Sequence, residues 1–293
     1  MKSLRIVTTS NCNNNCIFCI FKKIRKEKNK LTISRAKSVM KDYKKNGFTS
    51  VFFTGGEPTL YQGLEELVEY AHNAGYDDIL IGSNGINFKD IDYCKKIISL
   101  ERCKVAISLY STDYKINNYL AQNDEHFSSA IKGIFNLKEL NIDTIVRIIV
   151  TQKNYKDLLH LSQFLNNIKV SKIQFQFYCM VNKDNKREAD LVVKLTELEP
   201  YIESAICFCI KNRQDFDLLN FPFCFLKKYN QYNSENFAPE EAISFDGEDF
   251  IDCIKQINDL KIKKDSCRDC FHNDICGGVW KYYIDSFGWD ELS

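Results

Sequence analysis

Six short β-rich runs, each followed by an amphipathic stretch, dominate the chain from Leu4 to Tyr178. The runs are LRIVTT, SVFFTG, DILIGS, KVAISL, TIVRIIV and KIQFQFY, starting at Leu4, Ser50, Asp78, Lys104, Thr144 and Lys172. Their starts lie about one βα unit apart. Between them, Ser34 to Lys45, Gln62 to Asn73, Phe127 to Leu140 and Tyr155 to Leu165 carry apolar residues at helical spacing, as in the stripe Leu64, Leu67, Val68 and Ala71. Such alternation folds as a parallel sheet covered by helices. Periodicity alone leaves open whether that sheet is doubly wound or curled into a partial barrel.

After Tyr178 the rhythm changes. Asp190 to Lys211 reads as a helix interrupted or restarted at Pro200. Residues 215–293 show no further clear βα unit and are rich in Phe, Tyr, Asn and Cys, as expected of a small irregular unit that needs a staple. Expected boundaries are 1–185 for the βα core, 186–214 for linking helices and 215–293 for the appended unit. The charge run KKIRKEKNK, Lys22 to Lys30, reads as a solvated loop.

Thirteen cysteines among 293 residues need a reason. The sequence has no apolar run long enough to cross a membrane and no signal-peptide core at MKSLRIVTTS, so a cytoplasmic location is expected. Disulfides are rare in that reducing compartment. A net charge of +1 offers no basic field for nucleic acid. Cys12, Cys16 and Cys19 crowd behind the first strand, where the catalytic loops of βα folds lie. A structural zinc site takes four ligands; three soft thiolates suit three corners of an iron–sulfur cube, with the fourth iron open to a small molecule.

The spacing C-x3-C-x-Phe-C, with Phe18 before the last cysteine, resembles the signature of the radical S-adenosylmethionine (SAM) superfamily. TGGEPTL, Thr54 to Leu60, resembles that family's GGEP motif; the resemblance gives its backbone and Glu57 the methionine amino group, with Gly55, Gly56 and Pro58 shaping the turn. GSNG, carrying Ser83 and Asn84, is similar to the family's segment near the nucleoside. Ser108, ending the fourth strand, matches a polar position that often touches SAM, and Arg147 is a candidate for the SAM carboxylate or for a surface ion pair. The resemblance implies a partial (β/α)6 TIM-like barrel, a 4Fe–4S cluster that binds SAM, and reductive cleavage to a 5′-deoxyadenosyl radical that takes a hydrogen atom from substrate. It also implies a low-potential electron donor of the flavodoxin or ferredoxin type.

In the tail, Cys267, Cys270 and Cys276 give C-x2-C-x5-C, with Cys224 upstream in NFPFCF. Read from the residues, four thiols could close one zinc site or one cluster. The layout resembles the shortened SPASM-type (twitch) domain, which implies a second, auxiliary 4Fe–4S cluster. The full pattern would continue to another cysteine where Trp280 stands. Of the remaining cysteines, Cys94, Cys103, Cys207, Cys209 and Cys253 read as packing, with Cys207 and Cys209 on nearly opposite helix faces. Cys179 follows the sixth strand and reads either as packing or as a hydrogen-atom donor to a substrate radical. The histidines share no motif, and His272 is expected either on a surface loop or close to the tail cysteines.

Radical SAM enzymes with such tails modify ribosomally made peptides, and the cysteine layout resembles maturases of the His-Xaa-Ser type. The expected substrate is therefore a precursor peptide, crosslinked, joined by a thioether or epimerised. With the chain starting directly at strand one, the expectation is that either a separate protein binds the leader or the substrate is not a ribosomal peptide. The alternatives are radical chemistry on a small metabolite or nucleoside, and a non-enzymatic metal-binding protein.

Overall fold

The computed structural model describes residues 1–22, 31–97, 103–178 and 189–292. The charge run from residue 23 onward and Cys179 lie outside the described residues. The six expected strands are β1 (Lys2–Thr9), β2 (Phe48–Gly55), β3 (Asp78–Ser83), β4 (Cys103–Ser108), β5 (Asp143–Val150) and β6 (Lys172–Phe177). They pair in parallel in sequence order. Helices α1 (Ile33–Lys45), α2 (Leu64–Asn73), α3 (Ile91–Ile97), α4 (Tyr114–Ala121), α5 (His126–Glu139) and α6 (Leu158–Asn167) occupy the intervals.

Strand alternation assigns the two faces of this sheet. Leu4, Ile6, Val51, Phe53, Ile79, Ile81, Val105, Ile107, Val146, Ile148, Ile173 and Phe175 are sealed in the core with the helices. Residues in the other register, Arg5, Phe52, Leu80, Arg147, Gln174 and Asp217, are half-buried. Arg147 on β5 lies 5.8 Å from the Phe52 ring on β2. Three strand steps of roughly 4.8 Å would hold those residues about 14 Å apart in a flat sheet. The sheet is therefore curled, and the half-buried set lines its lumen. This is the partial barrel.

The tail departs from expectation. It adds β7 (Phe216–Leu219), parallel to β6, and β8 (Glu241–Phe245), parallel to β1, with β9 (Phe250–Asp252) antiparallel beyond it. One nine-stranded sheet results, in the order β7-β6-β5-β4-β3-β2-β1-β8-β9. A further βα unit thus exists: β6 leads through α7 (Leu195–Lys211) to β7. Nor does α7 restart at Pro200; it begins at Leu195 and runs through the proline. The Leu195 amide donates to the Tyr283 hydroxyl at 2.8 Å, so the tail caps this helix. A short turn of helix, α8 (Phe223–Leu226), α9 (Cys253–Asn258), the two-residue strands β10 (Lys261–Ile262) and β11 (Val279–Trp280), and α10 (Lys281–Phe287) complete the chain. Among the described residues no helix is long and apolar enough to cross a membrane.

Candidate functional site

The loop carrying Cys12, Cys16 and Cys19 leaves the C-terminal end of β1 and is tied down from two sides. On one side, Asn15 N and Ile17 N donate to the last carbonyls of α4, Ala121 O at 3.1 Å and Leu120 O at 3.0 Å. Asn123 Nδ2 adds bonds to Asn13 O and Asn14 Oδ1. On the other side, Gly56 N donates to Thr9 O and Glu57 N to Asn11 O, both at 2.7 Å. A Cβ on Gly56 would stand 2.2 Å from Asn11 O, so glycine is required for the two loops to touch. The glycine pair thus serves contact between the GGEP turn and the cysteine loop.

Glu57 is 1% exposed, and its carboxylate is fully engaged within the protein. Oε1 accepts from Thr59 N (3.1 Å), Thr59 Oγ1 (2.7 Å) and Ser83 Oγ (2.8 Å), and Oε2 accepts from Asn84 N (2.7 Å). Burial pushes its carboxyl up, and these bonds pull it down. The resemblance offers this carboxylate to a ligand's ammonium group; the structure turns it inward, where it joins GGEP to GSNG. Pro58 starts the 3-10 turn Pro58–Leu60 that presents Thr59. Asn84 is engaged likewise: its Nδ2 donates to Asn13 Oδ1 at 2.6 Å and approaches Cys12 Sγ at 3.8 Å.

Two residues without any sequence signal complete this layer. His126 is fully buried at the start of α5, with Nε2 3.1 Å from Asn84 O and Nδ1 2.8 Å from Asn117 Nδ2. A carbonyl can only accept, so Nε2 carries the proton and Nδ1 accepts from Asn117. Burial drives the imidazole down to about 4, keeping it neutral. Tyr110 stacks on His126 with centroids 5.4 Å apart and meets Phe18 edge-on at 5.0 Å. Its hydroxyl is 3.7 Å from Cys16 Sγ. Burial and the neighbouring Cys16 hold the phenol protonated well above its usual range. Phe18 is buried against Tyr110 and Tyr178, and Ser108 is half-buried at the end of β4.

Arg147 sits in the lumen and is no surface ion pair. Its Nε and Nη2 donate to Gln174 Oε1 at 3.2 and 3.0 Å, and Gln174 Nε2 donates to Asp217 Oδ2 at 3.2 Å. Asp217 Oδ1 is buried with no partner among the described residues. The tail thereby contributes a carboxylate to the lumen.

Three of the tail cysteines, Cys224, Cys267 and Cys276, lie near one another, while Cys270 is exposed. Cys224 lies on α8, and its thiol is pushed up to about 11, first by burial and then by Cys276 and Cys267 nearby. Cys270 N donates to Cys267 O at 3.2 Å, and Gly278 N points at Cys276 Sγ at 3.3 Å. Glu235, Lys261 and Lys263 act on Cys276 and Lys264 acts on Cys224, with Lys261 itself paired to Glu235. Gly278 has φ +104°, and a Cβ there would meet Ile262 O at 2.5 Å. Trp280, in the place of a further cysteine, is 1% exposed and donates to Asn220 O. His272 is half-buried, its ring stacked on Phe223 beside Cys224 at 4.9 Å, which is the second of its two expected positions, near the tail cysteines. Cys207 is exposed and Cys209 buried on α7, while Cys94, Cys103 and Cys253 are buried.

Among the described residues, no three His, Cys, Asp or Glu side chains converge on a point that one metal ion could fill. A cubane asks for less convergence, since each cysteine binds a different iron atom. At the first site the donor set fits such a group: three soft thiols on one braced loop, with Asn14 N–H, the Asn84 amide and the Tyr110 hydroxyl directed at sulfur.

A family model described as "Radical SAM superfamily" matches residues 6–165. The chain belongs to the radical SAM superfamily. It is an enzyme family that uses a 4Fe–4S cluster and SAM. When bound, these supply a 5′-deoxyadenosyl radical by one-electron cleavage of the S–C5′ bond. The radical SAM fold is recognisable over almost the whole chain. Streptococcus suis SuiB bound to precursor peptide SuiA is similar with a TM-score of 0.77 at 17% identity, over 97% of this chain and 72% of that one. An anSMEcpe structure with bound AdoMet and Cp18Cys peptide gives a TM-score of 0.71 at 16% identity, over 99% of this chain and 92% of that one. In sequence, the Saccharolobus solfataricus protein named "Probable GTP 3',8-cyclase" is 29% identical over 208 residues. That match covers 69% of this chain, which spans only 65% of the relative's length.

Proposed function

We propose that this enzyme takes a hydrogen atom from a ribosomally made peptide and so modifies it. Cys12, Cys16 and Cys19 hold the SAM cluster in this reading, and Cys224, Cys267, Cys270 and Cys276 hold an auxiliary one. The tail from residue 215 lends β7, β8 and β9 to the core sheet and, in this reading, also carries the auxiliary cluster. The observation that supports a peptide is the reach of the fold likeness. It extends through the tail, over 97% and 99% of the chain, to two enzymes solved with peptides. The chain's own residues brace the cysteine loop and line the lumen with Arg147, Gln174 and Asp217, a set able to donate to and accept from amide groups. Electrons come from a flavodoxin- or ferredoxin-type donor in this reading.

Radical chemistry on a nucleotide is the second reading, favoured by the sequence likeness to GTP 3′,8-cyclases. The two separate in one experiment. Anaerobically reconstituted protein is given SAM, a reductant and either GTP or the short peptides encoded beside its gene. The expected result is 5′-deoxyadenosine formed together with a mass change in one peptide. Formation of a cyclised nucleotide in step with 5′-deoxyadenosine, with every peptide unaltered, overturns the peptide reading.

A further inference from the structure

A continuous path of side chains joins two of the proposed cluster ligands behind the cysteine loop. It runs from Cys12 to the Asn84 amide, from Asn84 O to His126 Nε2, from the His126 ring to the stacked Tyr110 ring, and from the Tyr110 hydroxyl to Cys16. Nothing in this path is loose. Asn117 holds both His126 Nδ1 and the Tyr110 amide, the latter at 2.9 Å. Asn154 Nδ2 donates to Tyr110 O at 2.7 Å, and Phe18 closes the remaining edge of the ring. The phenol hydroxyl lies 3.7 Å from Cys16 Sγ, within reach of a hydrogen bond to sulfur. A tyrosine held on every side only to fill space would not need a hydroxyl.

We propose that Tyr110 is a positioning residue whose hydroxyl donates to the Cys16 thiolate and sets the reduction potential of the SAM cluster. The inference rests on Cys16 as a cluster ligand, as proposed above. A metal-bound cysteine is a thiolate and can only accept, so the phenol is the donor in the loaded protein. Reduction brings one electron from the external donor onto the cluster and makes its sulfurs more negative. A hydrogen bond to sulfur therefore favours the reduced form, and hydrogen bonding at the thiolates is among the levers that set such potentials. Burial of the hydroxyl away from water strengthens the effect. The Asn84 amide acts in the same sense on Cys12 from the opposite side of the path.

The test is a redox titration of the full-length, anaerobically reconstituted protein at saturating SAM. It follows the part of the reduced-cluster EPR signal that changes when SAM is added. Tyr110→Phe keeps both ring contacts and removes only the hydroxyl. At a fixed potential the ratio of oxidised to reduced cluster is expected to rise about tenfold, a shift of about 59 mV to more negative values for one electron. Iron content and SAM affinity should stay at wild-type values. Incorporating 3-fluorotyrosine at position 110 keeps the ring and the O–H, makes the hydroxyl a stronger donor and should shift the midpoint the opposite way, to less negative values. An unmoved midpoint in Tyr110→Phe with full iron overturns the proposal, leaving Tyr110 as packing. Should Tyr110→Phe fail to load its cluster, an unmoved midpoint with 3-fluorotyrosine at position 110 overturns it equally. Wild-type protein with no SAM-sensitive signal would instead sink the ligand assignment itself, and this inference with it.

Discussion

At the scale of single residues, the site is held by groups whose charge states are fixed by burial. His126 is the clearest case, because both ring nitrogens have assigned roles only in the neutral form. Its value of about 4 in the folded protein lies below the ordinary 6.5. A depressed value means that the unfolded chain binds the proton more readily. The stability contributed is therefore present above pH 6.5 and is lost as pH falls toward 4. At 1.36 kcal/mol per unit the loss is about 3 kcal/mol across that window. Glu57 works in the opposite sense: its raised carboxyl contributes stability at low pH that is lost as pH rises through the folded value. Replacing His126 by Gln should remove one slope and leave the other. Urea midpoints measured across this window should fall more gently with acid in His126→Gln than in wild type, or rise. A parallel fall in both proteins would show that His126 is not the group responsible.

At the scale of elements, α7 makes a sharper prediction than the strands do. Pro200 is exposed and lies inside a continuous helix, where it removes the bond its amide would make to Thr196 O. No packing is lost by replacing it, so Pro200→Ala should stabilise the protein by about 1–3 kcal/mol, read as a higher urea midpoint. A lower midpoint would mean that the proline sets a bend the core needs. The sequence suggested a break here because a proline's local cost is visible and the packing that overrides it is not: Leu198, Ile202, Ala205 and Ile206 are all buried. The first six strands were legible because each is flanked by its own helix. β7 and β8 were not, since FDLL and EAISF are too short to show periodicity, and β8 pairs Glu241 with Lys2 across most of the chain. The site divides in the same way. Cysteines and glycines in one loop carry their spacing with them. Tyr110, Asn117 and His126 come from separate elements and converge only once the barrel exists. The inward turn of Glu57 was also hidden, because its partners Ser83 and Asn84 belong to another strand end.

At the scale of the whole molecule, the tail does two jobs with very different means of support. Its strands β7 and β8 flank the core sheet and bury Leu218 and Phe245 completely. Beyond β9, regular structure shrinks to a ribbon of two residues per strand and two short helices. A segment so poor in ladder bonds needs a staple, and in the proposed reading Cys224, Cys267, Cys270 and Cys276 supply one. Lys263 and Lys264 would offset part of the negative charge that four thiolates bring, while Lys261 is already paired with Glu235. Wild-type protein should then carry about eight irons, as two four-iron clusters. Changing Cys12, Cys16 and Cys19 together to Ala should leave about four, still bound in the tail, and abolish SAM cleavage. Cys224→Ala should lower the tail iron and speed amide exchange in residues 253–292, while β1 to β6 keep their protection. Full iron and unchanged exchange in Cys224→Ala would place the fourth ligand elsewhere. Zinc in the tail after anaerobic preparation would refute the auxiliary cluster, though it would leave the need for a staple in place.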